Sequence, residues 1–333
     1  MIALNARAAV RPELGGVERW ARELAARLPA LGDYDVIRPP AALSHRAGHA
    51  WEQAVLPLIA RDAALILSPA NTAPLASRRN VVFVHDLAPL REPAWFGRAY
   101  GAWHRIGLRR IAASAQLVLV PSEFVSRELQ ELLGIEPERI CVVPPAAASQ
   151  FSPAAGPRPT ALDAPYVLAL GTTSARKNLE LLDRAAPRLR EAGLEVVIAG
   201  AGRSYLQESA AGARRLGYVD ERDLPALYAH AEVLAMPSLY EGFGLPCIEA
   251  MACGTPVVAA DCAALPEACG GAALLVDPHN ADAFAAALLE AAGPARERLV
   301  AAGRKRVAGL SWNRSAELVD AAVQELLAVD QGL

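Results

Sequence analysis

The sequence predicts an α/β protein of two domains, and three observations carry that prediction. Its 333 residues amount to about two domains at the usual ~150 residues each, long enough for each to bury its own core. Short aliphatic or β-branched runs alternate with longer helical patterns from end to end, the signature of parallel sheets built from strand–helix–strand units. Between Pro144 and Pro165, six prolines, small residues and Gly156 replace any periodic pattern, as expected where a chain crosses between compact units. The expected layout is a first domain over 1–150, a linker over 151–165, a second domain over 166–312 and a terminal helix over 313–333.

In the first half, strands are expected at 1–5, 34–38, 65–67, 81–84, 117–120 and 140–143, with helical stretches between most of them. Val17, Trp20, Ala21, Leu24 and Leu28 follow Gly15 and Gly16 at helical spacing, which gives that helix one apolar face for the first sheet. In the second half, strands are expected at 166–170, 195–199, 215–218, 233–236 and 255–258. Residues 315–328 read as an amphipathic helix, and Trp312 ahead of it is placed to anchor the chain as it packs back on its neighbour.

Hydrophobic residues make up 53% of the chain and charged residues 21%, which excludes the polar, highly charged make-up of a disordered segment. With 33 basic and 36 acidic residues the net charge is -3. That gives no global positive field for a phosphate backbone, so no nucleic acid partner is expected. Lys177 and Lys305 are the only lysines and alanine is abundant, a bias that carries no mechanism. The five cysteines lack the pairing of a secreted framework and the paired C-x-x-C of a zinc site. With no basic leader before an apolar stretch, and no apolar run reaching ~18 residues, a cytoplasmic protein is expected.

The most informative segment runs from Glu241 through Gly242, Phe243, Gly244 and Leu245 to Glu249. A strand ends near Met236, a glycine loop follows, and 245–253 should be a helix with Pro246 in its permissive first turn. A helix start offers unpaired N–H groups and a partial positive charge, which suits a pyrophosphate. A carboxylate one turn inside can accept two ribose hydroxyls, while one in the loop can reach the group beyond the phosphates. A single nucleotide sugar would satisfy both.

Here the sequence resembles retaining glycosyltransferases of the two-domain GT-B type, in particular glycosyltransferase family 4 and its bacterial mannosyl- and rhamnosyltransferases. Their E-x7-E motif matches Glu241 and Glu249. Further matches, in order, are Gly15-Gly16-Val-Glu-Arg, Val84-His85-Asp86, Val120-Pro-Ser-Glu, the run from Leu170 to Arg176-Lys177-Asn178, and Leu216-Gly-Tyr218-Val219. The resemblance implies two Rossmann-like domains facing across a cleft, with the acceptor held by the first. It implies that Glu249 holds the donor ribose, that Glu241 contacts the transferred sugar, and that amides of Phe243 to Leu245 face the phosphates.

By the same resemblance Arg176 and Lys177 neutralise the diphosphate leaving group, where fixed cations act on charge developing in the transition state. His85 bonds the donor sugar from the other domain, Gly15 and Gly16 let a helix terminus approach the reacting centre, and Tyr218 and Val219 form the base-binding edge. Thr172 stands where many relatives carry arginine, and Arg176 takes its place. The implied reaction retains anomeric configuration through front-face attack, a donor phosphate oxygen taking the acceptor proton. It needs no protein nucleophile, no cofactor and, with two cationic side chains to neutralise the charge, no metal.

Each residue also has a bland reading. Glutamates around a helix start are commonly caps and dipole partners, an Arg-Lys pair is usually a solvated face, and a histidine often bonds only locally. Gly200-Ala-Gly-Arg-Ser-Tyr lacks the third glycine of a dinucleotide fingerprint, and the cluster of Cys247, Cys253, Cys262 and Cys269 reads as core packing. Trp95, Phe96, Arg98, Tyr100, Trp103, Arg105, Arg109 and Arg110 read as a basic, aromatic helix. Docking within the fold is favoured for it over peripheral contact with anionic lipid or a lipid-linked acceptor.

The function expected is transfer of a hexosyl group, with a GDP-linked donor preferred, to a glycan, lipid-linked or small-molecule acceptor in polysaccharide assembly. The alternatives are a catalytically silent nucleotide-sugar-binding subunit and a nucleotide-sugar epimerase on a similar scaffold.

Overall fold

Among the residues described by the structure, a computed structural model, twelve strands form two six-stranded sheets in which every pairing is parallel. The described residues are 1–11, 15–43, 47–154, 156–159, 162–172, 174–200 and 212–330. The chain divides into two compact units, Met1–Pro145 with Trp312–Leu333, and Ala146–Ser311.

The first unit holds β1 (Ile2–Asn5), β2 (Tyr34–Ile37), β3 (Leu65–Ser68), β4 (Asn80–Phe83), β5 (Leu117–Val120) and β6 (Ile140–Val142), in the order β2-β1-β3-β4-β5-β6. Every residue of β1, β3, β4 and β5 is buried. That is the pattern of a parallel sheet covered on both faces, and it is why these strands read as apolar runs rather than alternations. The helix Trp312–Asp330 belongs to this unit. Trp312 is buried, its ring edge-on to Trp20 with centroids 4.8 Å apart at 90°. Asn313 accepts from Arg27 at 2.8 Å, Asp320 accepts from the Tyr34 hydroxyl at 2.7 Å, and Ser315 donates to the Pro144 carbonyl at 2.6 Å.

The second unit holds β7 (Tyr166–Leu170), β8 (Glu195–Ala199), β9 (Ala213–Gly217), β10 (Val233–Met236), β11 (Val257–Ala260) and β12 (Leu274–Val276), in the order β12-β11-β10-β7-β8-β9. Strand alternation sends Tyr166, Leu168, Leu234 and Met236 into one core, with Ile248 and Leu265 from the helices on that face. Val167, Ala169, Val233 and Ala235 enter the other core, with Leu182 and Phe284. The sheet order reverses between β7 and β10, and ligands of such sheets bind beyond the carboxyl ends of the strands at that switch.

Some local expectations are corrected. Strand β12, at the sheet edge, was not expected. β9 runs 213–217 rather than 215–218, and β11 runs 257–260 rather than 255–258. Alanines 259 and 260 are strand because they lie buried between neighbours, a tertiary cause that outweighs their weak β-propensity. Trp95 closes a separate turn and Phe96 is extended, both ahead of the helix Arg98–Ser114, because Pro93 and Gly97 break the pattern. The side chains of Tyr100 and Trp103, and residues 201–205 of the discounted fingerprint, lie outside the described residues. All five cysteines are free thiols.

Candidate active site

Because β7 and β10 are hydrogen-bonded neighbours running the same way, the loops leaving their carboxyl ends come together. After β7 the chain passes Gly171 and exposed Thr172 to a short turn, Ala175–Lys177. After β10 it runs through 237–244 into the helix Leu245–Ala252.

The two loops are stitched by backbone and side chain. Leu239 N donates to Arg176 O at 2.9 Å, Arg176 Nη1 to Tyr240 O at 3.1 Å, and Asn178 Nδ2 to Pro237 O at 3.1 Å and Pro278 O at 2.8 Å. Asn178 takes the left-handed conformation, φ 50°, which asparagine tolerates better than most residues. It ends the turn directly after Lys177. Glu241 then receives both cations, Lys177 Nζ on Oε1 at 2.6 Å and Arg176 Nη1 on Oε2 at 3.2 Å.

Burial pushes the Glu241 carboxyl up. The charges of Lys177 and Arg176, with hydrogen bonds from Lys177 and Ser238, outweigh that effect and hold it below its ordinary 4.5. Glu52 of the first unit is also held below 4.5: burial is outweighed by bonds from His49, Thr72 and Asn5 and by the charge of Arg7. Carboxyls depressed in the folded state add stability that is complete above 4.5 and is lost as pH falls through their lower folded values. Glu241→Gln should therefore flatten the acid side of the stability profile, read as the urea midpoint from about pH 6 to about pH 3. An unchanged slope would show that Glu241 is not depressed.

Glu249 sits one turn into the helix, 4% exposed, and accepts the Tyr228 hydroxyl at 2.8 Å. Tyr228 is itself fixed, its ring 5.7 Å from that of Phe151 and its carbonyl accepting from Thr255 Oγ1 at 2.6 Å. Gly244, with φ +111°, immediately precedes the helix. Phe243 is buried in the core beside it, Gly242 is buried and Leu245 half-buried. The structure thus brings Arg176, Lys177, Glu241, Gly242, Phe243, Gly244, Leu245 and Glu249 to one edge of the second sheet. Tyr218 presents a 57% exposed ring just past β9, and Val219 is half-buried against the core. Asn178 was named from sequence only as part of the Arg176-Lys177-Asn178 match, without a role of its own, and nothing pointed to Tyr228.

In the first unit His85 follows β4. Its Nε2 lies 3.0 Å from the Pro69 carbonyl, its amide donates to Asn71 Oδ1 at 2.7 Å, and its ring centroid is 4.6 Å from Phe83 and 6.0 Å from Trp20. Burial lowers its pKa, outweighing the Pro69 bond and the charges of Asp86 and Glu18, so the ring is neutral near pH 7. A carbonyl only accepts, so Nε2 carries the proton and the Nδ1 lone pair can accept from a hydroxyl. Exposed Gly15 and Gly16 open the helix Gly16–Arg27, with Gly15 N donating to Glu18 at 3.1 Å.

The chain is similar to known glycosyltransferases over most of its length. The family model described as glycosyl transferases group 1 matches residues 164–293, and that of glycosyltransferase family 4 matches 58–148. The O-antigen chain mannosyltransferase B of Escherichia coli is 31% identical over 255 residues, 70% of this chain and 67% of that one. A D-inositol 3-phosphate glycosyltransferase of Kribbella flavida is 31% identical over 317 residues, 86% and 72% of the two chains.

Among solved structures, sucrose-phosphate synthase from Thermosynechococcus elongatus superposes with a TM-score of 0.75 at 21% identity, covering 98% of this chain and 99% of that one. WaaG, a glycosyltransferase involved in lipopolysaccharide biosynthesis, gives 0.71 at 17%, covering 97% and 98%. Two parallel α/β units with this match across the chain place it among glycosyltransferases of the GT-B type, as a member of glycosyltransferase family 4.

Proposed function

We propose that the chain transfers a hexosyl group, with retention of configuration and without a metal, from a nucleoside diphosphate sugar to a glycan, lipid-linked or small-molecule acceptor. The observation that carries this reading is the triad of Lys177, Arg176 and Glu241 beside a glycine-led helix start, with Glu249 one turn inside. Two cations share one carboxylate, so the cluster keeps a net positive charge for a diphosphate. On donor binding Lys177 and Arg176 turn to the phosphates, and Glu241 is released to the hydroxyls of the sugar. The cations then stabilise the charge that grows on the leaving diphosphate, the task a metal ion performs elsewhere.

Glu249, oriented by Tyr228, accepts the ribose hydroxyls, and Tyr218 with Val219 forms a platform for the base. His85 accepts from a hydroxyl of the transferred sugar through Nδ1. Gly15 and Gly16 leave a helix start bare for the reacting centre. No side chain is needed as a nucleophile, since a donor phosphate oxygen takes the acceptor proton on the same face.

The E. coli relative is named for an O-antigen chain and a mannosyl group, which supports transfer of a mannosyl group and a role in polysaccharide assembly. A solved structure of Anabaena HepE in complex with UDP and glucose, 17% identical with a TM-score of 0.71 over 97% of this chain, keeps UDP among the donors to test. Thermal-shift screening against GDP, UDP, dTDP and ADP sugars is the first experiment, since a ligand of the native state raises its melting point. The matching donor should raise it, and Glu249→Ala should abolish the rise. A variant that still shifts like the wild type would remove Glu249 from the site.

Peripheral membrane contact is a second element of this reading. No helix among the described residues is long and apolar enough to cross a membrane. Arg98, Arg109 and Arg110 are exposed on the helix Arg98–Ser114, with Ile106 56% exposed among them, which suits an anionic lipid surface. Flotation with anionic vesicles checks it, and a protein that stays at the bottom of the gradient rejects it.

A further inference from the structure

Four rings of the first unit form a continuous buried row. Trp312 meets Trp20 with centroids 4.8 Å apart at 90°. Trp20 in turn lies 4.2 Å from Phe83 at 43° and 6.0 Å from the His85 ring at 65°, and Phe83 tilts over His85 at 4.6 Å and 31°. Separations of this order are those of interacting rings, and all four side chains are buried. They come from distant parts of the chain. Trp20 is in the helix Gly16–Arg27, Phe83 ends β4, His85 follows it, and Trp312 opens the terminal helix where the chain returns to this unit.

The hydrogen bond between Nε2 and the Pro69 carbonyl fixes one atom of the imidazole. It leaves the ring able to rock about that bond, because the outer torsion of a histidine is broad. Phe83 covers the ring at one inclination and Trp20 at another. Two surfaces set at different angles stop the rocking, and with it the swing of the Nδ1 lone pair. For this Trp20 must itself be immobile. Phe83 is one of its contacts and Trp312, at a right angle, is another. The helices that carry the two tryptophans are pinned together by Arg27 Nε on Asn313 Oδ1 at 2.8 Å.

Filling of space alone does not account for tryptophan at 312. Its Nε1 is buried without a hydrogen-bond partner among the described residues, and an unpaired buried N–H costs stability that leucine or phenylalanine would not lose. What the indole adds over either is a wide, rigid ring that reaches Trp20.

We propose that Trp312 is a positioning residue for the reaction: pressed against Trp20, it holds the His85 imidazole at the angle that aims Nδ1 at a hydroxyl of the transferred sugar. This rests on the role given to His85 above and extends it to a residue that acts only through another. A residue that merely filled the core would lower stability and leave the His85 ring of the folded molecules where it is.

The test uses the full chain, held below its melting temperature. The ring nitrogens of His85 are followed by NMR without substrate, their signals assigned by their loss in His85→Ala. Turnover is read as release of nucleoside diphosphate from GDP-mannose or UDP-glucose, whichever raises the melting point more. Trp312→Leu should displace the His85 signals and lower turnover by about 10- to 100-fold, the scale of a contact misplaced from afar. The donor-induced melting shift should stay, since the residues read as holding the nucleotide lie in the second unit. Trp312→Phe, with a ring of smaller reach, should fall between, and it carries the test alone if the leucine variant does not fold. In the His85→Ala background the same substitution at Trp312 should cost less than about twofold more, because an effect carried by one partner vanishes with that partner. Unmoved His85 signals in a folded Trp312 variant, or the same fold-loss with and without His85, would overturn the proposal. Wild-type turnover in His85→Ala would instead strike the role of His85 in the reaction, and the ring signals, recorded without substrate, would still decide whether Trp312 holds the ring.

Discussion

Lys177→Met should lower turnover by about 10²–10³-fold, the usual cost of removing one fixed charge or donor aimed at a developing anion, with a smaller effect on nucleotide affinity. Lys177 Nζ is 2.6 Å from Glu241 and Arg176 remains in the variant, so the site keeps one cation to hold the diphosphate. The chemical step suffers more than binding, because the growing negative charge on the leaving group is met by half the positive charge. Measuring release of nucleoside diphosphate under saturating donor separates the two effects. A drop of less than about threefold would remove Lys177 from the leaving-group role. The same substitution deprives buried Glu241 of its strongest partner, so its carboxyl should titrate higher than in the wild type.

Gly244→Ala carries a large structural penalty in the second unit. The residue has φ +111°, and a Cβ would lie 2.7 Å from Leu265 Cδ2, a fully buried side chain. Left-handed backbone costs an ordinary residue roughly 1–2 kcal/mol, and overpacking a core costs roughly 1–3 kcal/mol more. Together these lower the melting temperature by on the order of 10 °C for a unit of this size. Donor binding should fall as well, because the helix start moves with Gly244. Gly193 is the control: its φ is +80° but a Cβ there meets nothing within 4 Å, so Gly193→Ala bears the conformational cost alone. Equal melting shifts in the two variants would mean that contact with Leu265 is not what fixes Gly244.

These predictions show which parts of the molecule were legible in the sequence. Central strands such as β5, Leu-Val-Leu-Val, were readable because burial on both faces leaves only apolar residues. Edge strands were harder. β9 is Ala-Arg-Arg-Leu-Gly and β12 only three residues, and neither carries the period or the length that marks a strand. Glu241 and Glu249 could be singled out because their spacing is local. The clamp from Tyr228 onto Glu249 and the cluster of Asn5, Arg7, Glu52 and Thr72 join residues from 21 to 65 positions apart. Only the sheet order brings them together, and no local pattern encodes that.

The double ion pair on Glu241 has a consequence for selectivity in a medium rich in small anions. Any dissolved anion that approaches Lys177 and Arg176 has to compete with a carboxylate that the fold itself holds against them. A lone orthophosphate must displace it with a single point of attachment. On the proposed reading a nucleotide sugar arrives with several, so the ion pairs on Glu241 should favour it over simple salts.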